Sequence, residues 1–145
     1  VPAAVRALGR VGLDDVRGHL DGGIAAWRAA GRPLAQLAQL TPQQLHARRQ
    51  GGEALAVVDV RSDAEWDEGH IAGAVHILGG ELAGRLDELP AARPLVLACG
   101  SGYRSTVAAS VLARNGVDGL INMTGGMQAW NQAGLPTERE AALAA

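Results

Sequence analysis

The residues able to do chemistry gather at R-P-L-V-L-A-C-G-S-G-Y-R-S-T-V, residues 93–107, which hold the single cysteine of a 145-residue chain. Leu95, Val96, Leu97 and Ala98 form a short apolar run, and Cys99 follows directly. Gly100, Ser101 and Gly102 come next. From Val107 onward, Ala108, Val111 and Leu112 recur at helical spacing. This order predicts a strand, a thiol at its carboxyl end, a tight loop and a helix. The first N–H groups of a helix lack internal partners, and the helix dipole favours negative charge beside them. A thiol held there has a lowered pKa and reacts as the thiolate. Gly100 and Gly102 allow the loop to curl so that successive N–H groups point inward, an anion-binding nest. Arg104 adds a fixed positive charge. The competing reading, a buried inert thiol at a strand end, explains neither the glycines nor the arginine.

The elements that must position this loop are legible on either side. Ala54 to Val60 is a nearly continuous apolar run, the pattern of a strand buried on both faces, and it ends in Asp59-Val60-Arg61. Ser62 and Glu65 have the spacing of a capping box for a short helix. Gly69 to Ile77 reads as a turn entering a short strand, and Glu81 to Leu89 as a helix closed by Pro90. Gly116 ends the helix after Cys99. Leu120–Met123 is the last strand, and Gly126 to Gln132 the last helix. Upstream, Thr41 caps a helix with Pro42 in its first turn and Leu45 as its anchor, and residues 34–40 read as a connector. Strands alternating with helices predict an α/β fold with a parallel sheet, in which ligands sit at the carboxyl ends of strands. Asp59 and Cys99 both fall there.

The first 33 residues resemble a later part of the same chain. Residues 2–10 and 24–30 read as helices, with a turn at Gly12 and a weak strand near Asp15–Val16. Asp21-Gly22-Gly23-x-x-Ala26-Trp27-x-x-Ala30-Gly31-x-Pro33 matches Thr124-Gly125-Gly126-x-x-Ala129-Trp130-x-x-Ala133-Gly134-x-Pro136 at an offset of 103 residues. Gly12-Leu13-Asp14 aligns with Gly116-Val117-Asp118 one residue out of that register. A fixed offset is the mark of a repeated unit. In that register Val1 lies just after the point where a first copy of the cysteine loop would end. The segment therefore reads as the back half of an earlier unit, with apolar helix faces expected to pack on the intact unit or on a second copy of the chain.

Composition narrows the function classes. The apolar fraction is 48%, the charged fraction 19% and the net charge −2, so neither a nucleic-acid partner nor a membrane surface is indicated. One cysteine makes no internal disulfide and leaves no second thiol to resolve one. The four histidines are scattered, so no metal site and no other cofactor is expected. There is no membrane-length apolar run and no export signal, which favours a cytoplasmic setting.

Four segments together resemble the rhodanese domain of sulfurtransferases: D-V-R-S-D-A-E-W at 59–66, G-H-I-A-G-A-V-H-I at 69–77, C-G-S-G-Y-R-S at 99–105, and T-G-G-M-Q-A-W-N-Q-A-G-L-P at 124–136. The resemblance implies a parallel central sheet of about five strands with helices on both faces. It also implies three parts: a remnant of an upstream rhodanese repeat with connector over 1–40, a rhodanese domain over 41–137, and a tail over 138–145. The parent would be a tandem-rhodanese protein or a fusion to a metallo-β-lactamase-fold enzyme. The implied chemistry is attack by Cys99 on the sulfane sulfur of thiosulfate or a small persulfide, giving a Cys99 persulfide that a thiophilic acceptor relieves. Cys99 and Arg104 would be catalytic. Gly100, Ser101, Gly102, Tyr103 and Ser105, with Asp59 and Arg61, would bind substrate, the last two alternatively forming a buried brace. Glu65 reads more simply as a helix cap, His70 as a turn residue, and Trp66 and Trp130 as core. Implied partners are a small sulfur donor and acceptor, upstream domains of the same protein, and a second copy of the chain. A regulatory or sulfur-carrier module is the main alternative. Phosphatase or arsenate reductase chemistry ranks lower, because the six residues from Cys99 through Arg104 suit sulfur rather than phosphate.

Overall fold

Five parallel strands, β1 (Ala38–Leu40), β2 (Ala56–Asp59), β3 (Val75–His76), β4 (Leu95–Ala98) and β5 (Leu120–Met123), form one sheet in the order β1-β5-β4-β2-β3. They are seen in a computed structural model that describes residues 2–9 and 15–139. The chain divides into two units, 1–36 and 37–145. The first contains α1 (Pro2–Gly9) and α2 (Gly23–Ala29). The second runs β1 (Ala38–Leu40), α3 (Pro42–Gln50), β2 (Ala56–Asp59), α4 (Asp63–Asp67), β3 (Val75–His76), β4 (Leu95–Ala98), α5 (Tyr103–Arg114), β5 (Leu120–Met123) and α6 (Gly126–Gln132). This is the α/β architecture expected from the alternation of elements.

The strands sort their side chains by the two-residue period of the pleat. Along β4, Leu95, Leu97 and Cys99 join one apolar cluster with Val58, Val60, Ala108, Ala109 and Leu112. Val96 and Ala98 point the other way, into a cluster with Leu45, Val57, Met127 and Trp130. Two buried faces explain why β2 and β4 read as unbroken apolar runs. They also fix Cys99 on the α5 side of the sheet.

Capping chemistry sets the helices around this frame. Thr41 closes a capping box with Gln44, and Ser62 closes one with Glu65. The Glu81–Leu89 segment is not one helix but two short 3-10 turns, Leu82–Gly84 and Leu86–Glu88. Gly84 weakens a helix at its centre, and the buried Leu82 anchors the tighter turn instead. β1 lies within the 34–40 stretch that reads as a connector: of its three residues only Leu40 is buried, too short a pattern to mark a strand, yet it pairs with Ile121–Met123 at the sheet edge.

In the first unit, residues 15–20 have no regular structure, so the strand expected near Asp15–Val16 is absent. An isolated strand has no ladder to join. The turn at Gly12 and the Gly12-Leu13-Asp14 match lie outside the described residues. The matched segments around α2 and α6 share their local geometry. α2 and α6 start and stop at the same offset. Gly22, Gly23 and Gly31 have φ of 71°, 60° and 66°, against 71°, 56° and 63° at Gly125, Gly126 and Gly134. Trp27 Nε1 donates to the Pro33 carbonyl at 2.8 Å, as Trp130 Nε1 does to Pro136 at 3.0 Å.

Candidate active site

Cys99 ends the central strand with its side chain fully buried, and the loop after it turns inward around the sulfur. The Gly102 N–H donates to Sγ at 3.1 Å. Gly102 has φ of 93°, and a Cβ there would sit 3.1 Å from the Gly125 nitrogen and 3.3 Å from the Met123 carbonyl. Only glycine makes this turn without strain. Burial pushes the Cys99 thiol up. The Ser105 hydroxyl and the N–H groups of Ser105, Ser101 and Gly102 outweigh it, so the pKa lies below its ordinary value. Hydrogen bonds to the charged form account for that direction.

Ser105 is itself held from behind. Its Oγ lies 2.6 Å from Asn122 Oδ1 and 3.3 Å from Sγ, and Asn122 Nδ2 donates to Gln39 Oε1 at 2.8 Å. A hydroxyl has one proton for these two acceptors. Beside a neutral thiol the shorter contact to Asn122 takes it. An ionised sulfur is the stronger acceptor and draws the proton over.

The outer side of the loop is fixed by α6. Met127 N–H donates to the Cys99 carbonyl at 2.7 Å, and Gln128 N–H to the Gly100 carbonyl at 3.0 Å. Helix-start amides that need partners thus hold the loop carbonyls outward, which leaves the loop amides facing the sulfur. Gly126 makes the contact close enough. A Cβ at 126 would collide with the Cys99 carbonyl oxygen and lie 2.6 Å from the Gly100 carbonyl carbon.

Arg104 closes the loop but meets a protein carboxylate there. Its Nη1 and Nη2 donate to Glu65 Oε2 and Oε1 at 2.7 and 2.6 Å. The Arg104 guanidinium, with Ser62, holds the Glu65 carboxyl down to about 2 against the opposing effect of burial. Glu65 in turn raises the pKa of Arg104. Glu65 therefore both caps α4 and ties it to the first turn of α5.

Asp59 and Arg61 form a buried pair. Arg61 Nε donates to both Asp59 oxygens at 3.0 and 2.9 Å, and Nη2 reaches Asp59 Oδ2 at 2.7 Å and the Gly69 carbonyl at 2.9 Å. This is the brace geometry, joining the end of β2 to the turn before β3. His70 lies against Trp66, with its Nδ1 3.2 Å from the Trp66 carbonyl. Tyr103, by contrast, is 76% exposed at the loop's rim.

The domain that holds this thiol and its loop is similar to known proteins in sequence and fold. The family profile described as the rhodanese-like domain covers residues 41–133. The chain belongs to the rhodanese-like family. A sulfurtransferase of Allochromatium vinosum is 33% identical over 98 residues, covering 68% of this chain and 92% of that protein. The transcriptional regulator Rv0324 of Mycobacterium tuberculosis is 38% identical over 103 residues, 70% of this chain, but the match spans only 45% of the regulator. Among solved structures, a rhodanese-like domain protein of Staphylococcus aureus superposes with a TM-score of 0.65 at 28% identity, covering 72% of this chain and all of that one. In this rhodanese-like domain, sequence reasoning placed the loop and missed its supports. Asn122 was legible in principle, because the strand alternation puts it on the Cys99 face. The Glu65–Arg104 link spans 39 residues and had no local signal.

Proposed function

We propose that this rhodanese-like domain is a sulfurtransferase that carries sulfane sulfur as a Cys99 persulfide. The observation that carries the reading is a buried thiol of lowered pKa ringed by inward-facing amides. The thiolate attacks the outer sulfur of thiosulfate or a small persulfide and releases sulfite or a thiol. The resulting Cys99–S–S⁻ rests on the N–H groups of residues 100–105, preorganised donors that need not rearrange as charge develops. A thiol in the cell, or cyanide in an assay, then takes the sulfur. Arg104 holds the loop mouth, and Asp59 and Arg61 act by bracing β2. The domain spans 41–137 and works in the cytoplasm, where a lone thiol stays reduced.

The test is mass spectrometry of the intact chain after donor treatment. Cys99 should gain one sulfur atom, and Cys99→Ser should gain none and lose all transfer while keeping its fold. Transfer that survives Cys99→Ser would sink the proposal.

A second reading is a sulfur-carrier or regulatory module within a larger protein. The match to less than half of a transcriptional regulator supports it, as does the α2 motif, which repeats α6 glycine for glycine. In this reading residues 1–40 are the back part of an upstream rhodanese unit plus connector. Stoichiometric loading of Cys99 with negligible turnover would favour it.

A further inference from the structure

A cleft of about 420 Å³ opens beside the cysteine loop. Tyr103 and Arg104 of the loop's end form one edge, Val107 and Val111 continue it along α5, and Val60 and Leu78 form the opposite wall. Two observations describe its chemistry. Leu78, Tyr103 and Val107 are 38%, 76% and 51% exposed, so three large apolar side chains face solvent around one opening. Such clustering marks a binding surface more than chance exposure does. Among the described residues, Arg104 is the one charged side chain that lines the cleft, and both its Nη atoms donate to Glu65, whose carboxylate offsets its charge. The mouth is therefore apolar and close to electroneutral. The volume is that of a small-molecule site, and the cleft shares Val60 and Ala108 with the cluster around Cys99.

We propose that this cleft seats the carbon body of an apolar organic hydropersulfide, making that class the preferred sulfur donor over thiosulfate and over charged peptide persulfides. The inference rests on the sulfurtransferase reading and names its substrate class. Thiosulfate brings two negative charges to a cleft whose lining cation, Arg104, is already paired with Glu65, and has no apolar part to bury. An apolar hydropersulfide R–S–SH buries R against Val107 and Leu78, and its outer sulfur reaches the loop. Cys99–S⁻ then bonds to that outer sulfur, the R–S to S bond breaks, and its electron pair leaves on RS⁻. The proton of the transferred S–H passes to RS⁻, giving Cys99–S–S⁻ and RSH with no external oxidant or reductant.

The test follows Cys99 persulfide formation on the full chain by rapid quench and mass spectrometry. Benzyl hydropersulfide, glutathione persulfide and thiosulfate are the donors, each rate divided by that donor's rate with free cysteine. The normalised rate for the benzyl donor should exceed that for glutathione persulfide at least tenfold. Val107→Asp should remove this advantage and leave the glutathione persulfide rate within twofold. Leu78→Ser, on the opposite wall, should act in the same direction, so that misfolding of one variant does not decide the matter. Equal normalised rates for the two persulfides, or variants that slow both alike, would overturn the inference while the sulfurtransferase reading stands. No loading from any donor would overturn both.

Discussion

Ser105 shows how one hydroxyl sets the reactivity of the site. It is fully buried between Sγ and Asn122, and it supplies the strongest of the hydrogen bonds that lower the thiol pKa. A depressed thiol pKa means that a larger share of the nucleophile is ionised at a given pH than in a free cysteine. Rates of Cys99 alkylation or sulfur loading should therefore rise with pH and inflect at a lower pH than those of a free cysteine. Ser105→Ala removes a donor to the anion and leaves the burial penalty in place, so the inflection should move upward. The pH profile of iodoacetamide labelling reads this directly, and an unmoved inflection would show that the loop amides alone hold the charge. Cys99 and its glycines were legible because their types are unusual and local. The face of Asn122 followed from strand alternation but its partner did not, and the Glu65 link was not legible at all, since polar residues distant in sequence gain their partners only when α5 brings Ser105 and Arg104 to them.

At the scale of elements, the same Gly-Gly helix start does two different jobs. Gly126 and Gly23 share a left-handed backbone, yet a Cβ at Gly126 meets the backbone of Cys99 and Gly100, while one at Gly23 meets nothing within 4 Å. Left-handed strain alone costs about 1–2 kcal/mol for an alanine. Gly23 lies in the first unit and outside both apolar clusters, so in Gly23→Ala that strain falls outside the core and should change the measured unfolding of the second unit by less than about 1 kcal/mol. Gly126→Ala adds a collision with backbone that has no side chain to move aside, and should cost about 3–5 kcal/mol. It should also slow sulfur loading, because the loop must shift. Denaturant unfolding of the two variants measures the contrast, and equal losses would refute the role given to the α6 clamp. The strands β2, β4 and β5 and the capped helices were readable because period, capping and burial agree in each. The 82–88 turns were not, because leucine spacing suits a helix while Gly84 in their midst does not. β1 escaped because its pairing with β5, not its own pattern, makes it a strand.

At the scale of the whole molecule, the question is what the fold of the cysteine site depends on. Both apolar clusters, with the partly buried residues packed against them, are drawn from residues 37–135. All five strands and every hydrogen bond described around Sγ fall within the second unit. A core of that kind sustains a domain of roughly 100 residues without help. The first unit carries α1 and α2, with Leu20, Ile24, Trp27 and Leu34 all substantially exposed. Stability is set by apolar area removed from water, and these side chains add little to it. A chain beginning at Leu37 should therefore melt within about 4 °C of the full chain, the shift that roughly 1 kcal/mol produces at this size. It should also load Cys99 at the same rate. A fall of more than about 10 °C, or loss of loading, would mean that residues 1–36 belong to the folding unit of the site. If the truncated chain behaves as expected, the glycine-for-glycine match of α2 to α6 reflects a shared motif and not a contribution to this site. Sulfur chemistry would then rest on one loop, one clamp helix and one thiol.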